Sequence, residues 1–233
     1  MMKNSGICAV VPIKRFKEAK TRLDSILTND ERYCLSRAML ADVLATLSNT
    51  PQISGTLVVT RDPEAKMMAE STGALVLDES ATWGHNGSVL KAASLLQEAG
   101  YRGIICIPGD VPLVTPAEIE HILNIHGDTQ AVTLIPSLDG KGSNGIACSP
   151  ADAIPFCYGE NSFLVHLATA QLRGFEPEVI KLPGLGLDID YPGDLKAFIQ
   201  QDSDTLTAQY LAQSGIAKRL LNNAPDYDNL GVG

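Results

Sequence analysis

Along the chain, short blocks in which nearly every residue is apolar alternate with longer stretches where apolar residues recur every three or four positions. The blocks are ICAVVPI (7–13), GTLVVT (55–60), ALVL (74–77), GIICIP (103–108), AVTLIP (131–136) and NGIACS (144–149). Runs of this length, most of them without polar alternation, suit strands covered on both faces. The stretches 30–48, 63–72, 87–99 and 116–126 carry the helical period, with Leu35, Met39, Val43 and Leu47 forming one face of the first. TPAE at 115–118 predicts a helix start: Thr115 as N-cap, Pro116 at the first helical position and Glu118 closing a capping box. Gly73 and Gly100 stand where C-terminal caps belong. Alternating strands and helices predict an α/β fold, a mainly parallel central sheet with helices on both faces, whose ligands bind at the carboxyl ends of the strands.

Beyond residue 160 the pattern weakens. Residues 161–173 predict a helix, EVIKL (178–182) a strand, and 191–201 a helix with Asp190 as its cap. From 203 onward a weakly amphipathic helix is expected, followed by NNAPDYDNLGVG as a frayed tail.

Composition narrows the function classes. A chain of 233 residues with 45% hydrophobic content can bury the core of one large domain. A net charge of -9 and a pI near 4.9 leave no basic face for a nucleic-acid backbone, so any phosphate must be held locally. The five cysteines, Cys8, Cys34, Cys106, Cys148 and Cys157, are odd in number and lack zinc-like spacing, which predicts reduced thiols. The N-terminal apolar run is too short for a secretory signal and no stretch approaches a membrane span. A cytoplasmic protein, with no nucleic-acid or membrane partner, is the expectation.

Local phosphate handling has a natural seat in VPIKRFKEAKTRL (11–23), which packs Lys14, Arg15, Lys17, Lys20 and Arg22 into nine positions after the first strand. No P-loop and no GxGxxG accompany it, so side chains rather than a glycine cradle would grip the phosphates. PGDVPL (108–113) ends a buried strand in Asp110, which has no capping task because Thr115 caps the following helix. In GLDIDYPGDL (186–195), Asp188 and Asp190 lie two apart and face the same way on an extended segment, although Asp190 reads equally as a helix cap. Three carboxylates converging opposite a basic loop suit a hard cation such as Mg2+ bridging phosphates. LDGKGSNG (138–145) reads both as a hairpin turn and as a small-residue binding loop around Ser143 and Asn144. YGENSF (158–163) places Gly159 and Ser162 at a helix start, where an anion or a simple cap would suit the same letters. Trp83 and Asn86 lie in a polar loop that could touch a base, and the four histidines are too scattered for a metal cluster.

With these pieces placed, the chain resembles the 2-phospholactate guanylyltransferase family, which prepares the phospho-acid side chain of the deazaflavin coenzyme. The resemblance rests on VPIK, AKTRL (19–23), PGDVPL, GKGSNG, YGENSF and GLDIDYPGDL in the family's order, covering residues 7 to about 200. It implies a nucleotidyltransferase fold of glycosyltransferase A type over 1–202, followed by the C-terminal helix and tail of 203–233. It also implies transfer of GMP from GTP, with Mg2+, to a phosphorylated three-carbon acid: 2-phospholactate, phosphoenolpyruvate or 3-phosphoglycerate. By the same resemblance Lys14, Lys20 and Arg22 form the triphosphate clamp, while Asn86 is a nucleotide contact on the reading of its loop alone, which departs from the family around Trp83 and His85. Asp110, Asp188 and Asp190 are the metal ligands, and Ser143, Gly159 and Ser162 hold the acceptor. A homodimer is open as an assembly. The alternatives are a molybdenum-cofactor-type nucleotidyltransferase, whose glycine-rich loop is missing, a sugar-phosphate nucleotidyltransferase, a glycosyltransferase, whose DxD motif DVP (110–112) does not form, and a non-catalytic GTP sensor on the same fold.

Overall fold

The computed structural model describes residues 6–78, 84–159 and 161–222. Seven strands, β1 (Ile7–Ile13), β2 (Ile53–Thr60), β3 (Leu75–Asp78), β4 (Gly103–Cys106), β5 (Ala131–Pro136), β6 (Ser143–Ser149) and β7 (Glu178–Val179), form one sheet. Its order is β3-β2-β1-β4-β6-β5-β7. The helices are α1 (Asn29–Ser48), α2 (Pro63–Ser71), α3 (Gly84–Glu98), α4 (Pro116–His126), α5 (Ser162–Leu172), α6 (Pro183–Gly186), α7 (Pro192–Ile199), α8 (Leu206–Gln213) and α9 (Ile216–Asn222). The expected α/β architecture is the observed one.

Strands β1 to β4 pair in parallel, and among the described residues β6 alone runs against its neighbours, β4 and β5. The reason is connection length: only residues 137–142 join β5 to β6, too few for the crossover a parallel pair needs. The stretch LDGKGSNG therefore is a hairpin turn as well as a candidate site. The expected strand 178–182 shortens to two residues paired with β5.

Alternate residues of β1 feed the two faces of the sheet. Ile7, Ala9, Val11 and Ile13 pack with Leu40, Val43 and Leu47 of α1 and Ile119 and Ile122 of α4. Cys8 and Val10 pack on the other face with Val89, Ala92 and Leu96 of α3. Gly103 is required where β4 passes β6, since a Cβ there would stand 2.3 Å from the Cys148 carbonyl oxygen. Cys8, Cys106 and Cys148 are buried, and all five cysteines are free thiols. Burial raises the Cys8 thiol pKa to about 12.

A third apolar cluster joins Leu35 and Met39 of α1 to Leu195, Phe198, Leu211, Ile216 and Leu220. The helix expected from 203 onward is thus two short ones, broken at Gly215 (φ 74°). Asp42, buried in α1, fastens α8 by accepting from Leu206 N–H at 2.7 Å, Thr207 N–H at 2.9 Å and the Thr207 hydroxyl at 2.6 Å. The tail NNAPDYDNLGVG lies outside the described residues after Asn222. Among the described residues no helix is long and apolar enough to cross a membrane.

Candidate functional site

A cleft of about 1330 Å³ opens over the carboxyl ends of β1 and β4, and it is lined by Lys14, Lys20, Arg22, Asn86, Asp110, Ser143, Gly159, Ser162, Asp188 and Asp190, while Arg15 and Lys17 of the basic loop stand outside it. Trp83 falls outside the described residues.

The basic loop is anchored from beneath. Phe16 and Leu23 are buried, Phe16 meets Tyr33 edge-on at 5.7 Å, and the Phe16 N–H donates to Asp62 Oδ2 at 3.0 Å. Between two short 3-10 turns, Lys20 takes a left-handed backbone (φ 55°), unusual for a residue with a side chain. That backbone delivers its ammonium, on a side chain only 6% exposed, to Asp110 Oδ2 at 2.5 Å and Asp190 Oδ1 at 2.7 Å. Burial works against the charged lysine, but the two carboxylates prevail and hold its pKa above the usual range. Arg22 donates to Asp190 Oδ2 at 2.9 Å and lies 4.8 Å over the Tyr191 ring. Lys14 stays exposed at the rim.

The acidic side is assembled from two segments. The Ile189 N–H donates to the Asp110 carbonyl at 3.0 Å, tying 108–113 to 186–190. Asp190 is not the helix cap expected at α7. Asp194 takes that work, its Oδ2 accepting from Asp190 N–H at 3.1 Å and Tyr191 N–H at 2.7 Å, which leaves the Asp190 carboxylate for Lys20 and Arg22. Burial would raise the Asp190 pKa, yet Lys20, Arg22 and Lys14 pull it below the usual range. Asp188 behaves oppositely. Burial, then the negative charge of Asp110, pushes its pKa up to about 6, although Asn144 Nδ2 donates to its Oδ1 at 2.9 Å.

Among the described residues no three His, Cys, Asp or Glu side chains form a ready ion cage, and the Lys20 ammonium bridges two of the expected ligands. The residues nonetheless suit a divalent cation. Asp110 Oδ1 is buried without any hydrogen-bond partner, and Asp188 holds an ionised carboxylate at a cost. A cation would satisfy both.

On the opposite wall Asp139 and Lys141 of the β5–β6 turn flank a set of uncharged groups. Gly159 (φ 152°) has no heavy atom within 4 Å of where a Cβ would stand, so backbone there opens onto the cleft. Ser162 Oγ accepts from the Ser143 N–H at 3.1 Å, and the Phe163 N–H donates to the Lys141 carbonyl at 3.0 Å, locking the start of α5 to the β5–β6 turn. Asn86 spends its amide on the Tyr158 backbone, accepting from its N–H at 3.1 Å and donating to its carbonyl at 3.4 Å, which fixes the approach to Gly159.

Sequence reasoning passed over His166, buried on α5 with Nδ1 2.9 Å from Ser143 Oγ. Its one local signal is the four-residue spacing from Ser162, which puts both on one helix face. His126, by contrast, is a core histidine held between Thr133 and Ser149 hydroxyls, each at 2.9 Å.

Comparison with known proteins agrees with this geometry. A solved structure described as a nucleotide-diphospho-sugar transferase from Desulfovibrio desulfuricans G20 superposes with a TM-score of 0.74, covering 94% of this chain and 99% of that one at 15% identity, a likeness of fold alone. Phosphoenolpyruvate guanylyltransferase of Conexibacter woesei is 35% identical over 81% of this chain and 85% of its own. 3-phospho-D-glycerate guanylyltransferase of Colwellia psychrerythraea is 35% identical over 80% and 88%. 2-phospho-L-lactate guanylyltransferase of Methanothermobacter thermautotrophicus is 31% identical over 88% and 89%. The model of the family described as "Guanylyl transferase CofC like" matches residues 7–226, nearly the whole length over which sheet, basic loop and acidic segments build the cleft, and the chain belongs to that family.

Proposed function

We propose that this guanylyltransferase moves GMP from GTP to the phosphate of a small three-carbon acid and releases pyrophosphate, as a step toward the side chain of the deazaflavin coenzyme. The observation that carries the reading is the union, in one cleft, of a buried lysine bridging Asp110 and Asp190 with an open neutral cradle at Gly159, Ser143 and Ser162. The first suits a polyphosphate and the second a smaller anion. Relatives named for three different acids support the substrate class without choosing within it.

The reaction joins two anions, so charge management is the main task. An oxygen of the acceptor phosphate bonds to the α-phosphorus of GTP while the bond from that phosphorus to the oxygen bridging the β-phosphorus breaks. The electron pair leaves with pyrophosphate. Lys14, Lys20 and Arg22 offset the charge of the triphosphate and of the leaving group, and the aspartates hold Lys20 oriented beforehand, so little reorganisation accompanies the step. Ser143, Ser162 and the backbone at Gly159 hold the acceptor's phosphate and carboxylate. Asn86 sets the cradle through Tyr158. Asp110, through its unpartnered Oδ1, Asp188 and Asp190 would hold Mg2+. When bound, that ion neutralises phosphate charge and polarises the α-phosphorus. No protein nucleophile takes part, since displacement needs only positioned anions.

The test is pyrophosphate release with GTP or ATP, with and without Mg2+, against 2-phospholactate, phosphoenolpyruvate and 3-phosphoglycerate. Acceptor-dependent release with GTP, favoured over ATP, is expected. No turnover with any pairing would sink the reading.

A further inference from the structure

His166 is fully buried, and its two ring nitrogens meet partners of different character. Nε2 accepts from the Cys157 backbone N–H at 2.9 Å, while Nδ1 lies 2.9 Å from Ser143 Oγ. A backbone amide can only donate, so Nε2 must present its lone pair. In a neutral imidazole the single proton then sits on Nδ1. Burial lowers the His166 pKa to about 4, so the ring is neutral at physiological pH. With Nδ1 protonated, Ser143 Oγ can only accept from it, and the serine's own hydrogen has to point elsewhere. Ser162 is biased in the same sense, because its Oγ already accepts the Ser143 N–H at 3.1 Å. Both serines line the cleft beside the open Gly159 backbone.

We infer that His166 is a positioning residue for the acceptor: by donating from Nδ1 it turns the hydrogen of the Ser143 hydroxyl away from the ring and toward the cleft. A serine left to itself can donate or accept, and would take a protonated or alcohol-bearing ligand as readily as an ionised one. A serine whose hydrogen is held toward the cleft favours oxygens that only accept, those of ionised phosphate and carboxylate. The inference rests on reading Ser143, Gly159 and Ser162 as the acceptor site, and it adds what sets their polarity.

Two measurements test it. In wild-type protein, tautomer-sensitive 15N spectra, with the ring assigned through its proximity to the Cys157 amide, are expected to show His166 protonated on Nδ1. An Nε2-protonated ring overturns the inference whether or not any variant folds, and leaves the transferase reading standing. The second is a double-mutant cycle on acceptor KM. His166→Met keeps most of the ring's bulk and a weak sulfur acceptor near the Cys157 N–H, and carries no donor for Ser143. It is expected to raise acceptor KM about tenfold, the loss of one oriented hydrogen bond, with kcat and the KM for GTP unchanged. Ser143→Ala raises acceptor KM about tenfold to hundredfold, and the double variant should be no worse, because His166 acts only through that hydroxyl. Additive effects, or equal losses for GTP and acceptor, assign His166 to structure alone. A wild-type protein that turns over no acceptor refutes the transferase reading instead, and the tautomer spectrum still decides the polarity of Ser143.

Discussion

Replacing Asp188 by asparagine is expected to stabilise the metal-free protein at neutral pH while abolishing transfer. In the folded chain burial and Asp110 raise the Asp188 pKa from 3.8 to about 6. A carboxyl that binds its proton more tightly folded than unfolded favours the fold when protonated. That advantage is lost as pH rises from the unfolded value through the folded one, and the cost is constant above it. Two logarithms of proton affinity at 1.36 kcal/mol each make the cost of the ionised group about 3 kcal/mol above pH 7, with most of it appearing between pH 4 and 6. The amide of Asp188→Asn has no charge to bury, and its oxygen can still accept from Asn144. Denaturant unfolding in EDTA should therefore give curves that converge near pH 4 and separate in the variant's favour by about 2 to 3 kcal/mol at pH 8. Adding Mg2+ should stabilise the wild type and leave the variant unmoved. Parallel pH curves, or a variant less stable than wild type at pH 8, would show that Asp188 is not held ionised at a cost. Near-normal turnover by the variant would remove it from the metal site.

Three further perturbations follow from the same geometry. Lys20→Met should lower kcat by about a hundredfold or more in the pyrophosphate-release assay and weaken GTP, since it removes the oriented cation between Asp110 and Asp190; near-normal kcat would mean the loop does not touch the triphosphate. Asp42→Ala strands the two N–H groups and one hydroxyl that fasten α8, and should lower stability by about 2 to 4 kcal/mol in thermal or denaturant unfolding. An undiminished melting temperature would show that α8 and α9 hold to α1 by apolar contact alone. Gly103→Ala drives a methyl to 2.3 Å from the Cys148 carbonyl and should cost about 1 to 3 kcal/mol or more, read as a lower melting temperature with unchanged KM values in whatever folds.

What the sequence determined by itself is what local chemistry decides. A seven-residue apolar run such as ICAVVPI has no polar face to leave in water, so it had to become a strand covered on both sides. TPAE carries every group of its capping box within four residues, and the structure forms that box as read. The order of the motifs along the chain was enough to identify the family. The tertiary structure alone decided matters that turn on partners far apart in sequence. Lys20 meets Asp110 and Asp190 across separations of 90 and 170 residues, and nothing in AKTRL distinguishes a lysine buried between carboxylates from one waving in solvent. The capping of α7 passed from Asp190 to Asp194 because only the folded loop shows which carboxylate turns back to the amides of Asp190 and Tyr191 just before the helix and which faces Lys20. The polarity of Ser143 depends on a histidine 23 positions later and on that histidine's second contact, with Cys157. Short-range pattern fixes which segments become strands and helices because hydrogen bonding and burial are demanded residue by residue. The electrostatics of the cleft are set by which loops those elements bring together, and that is a property of the assembled sheet.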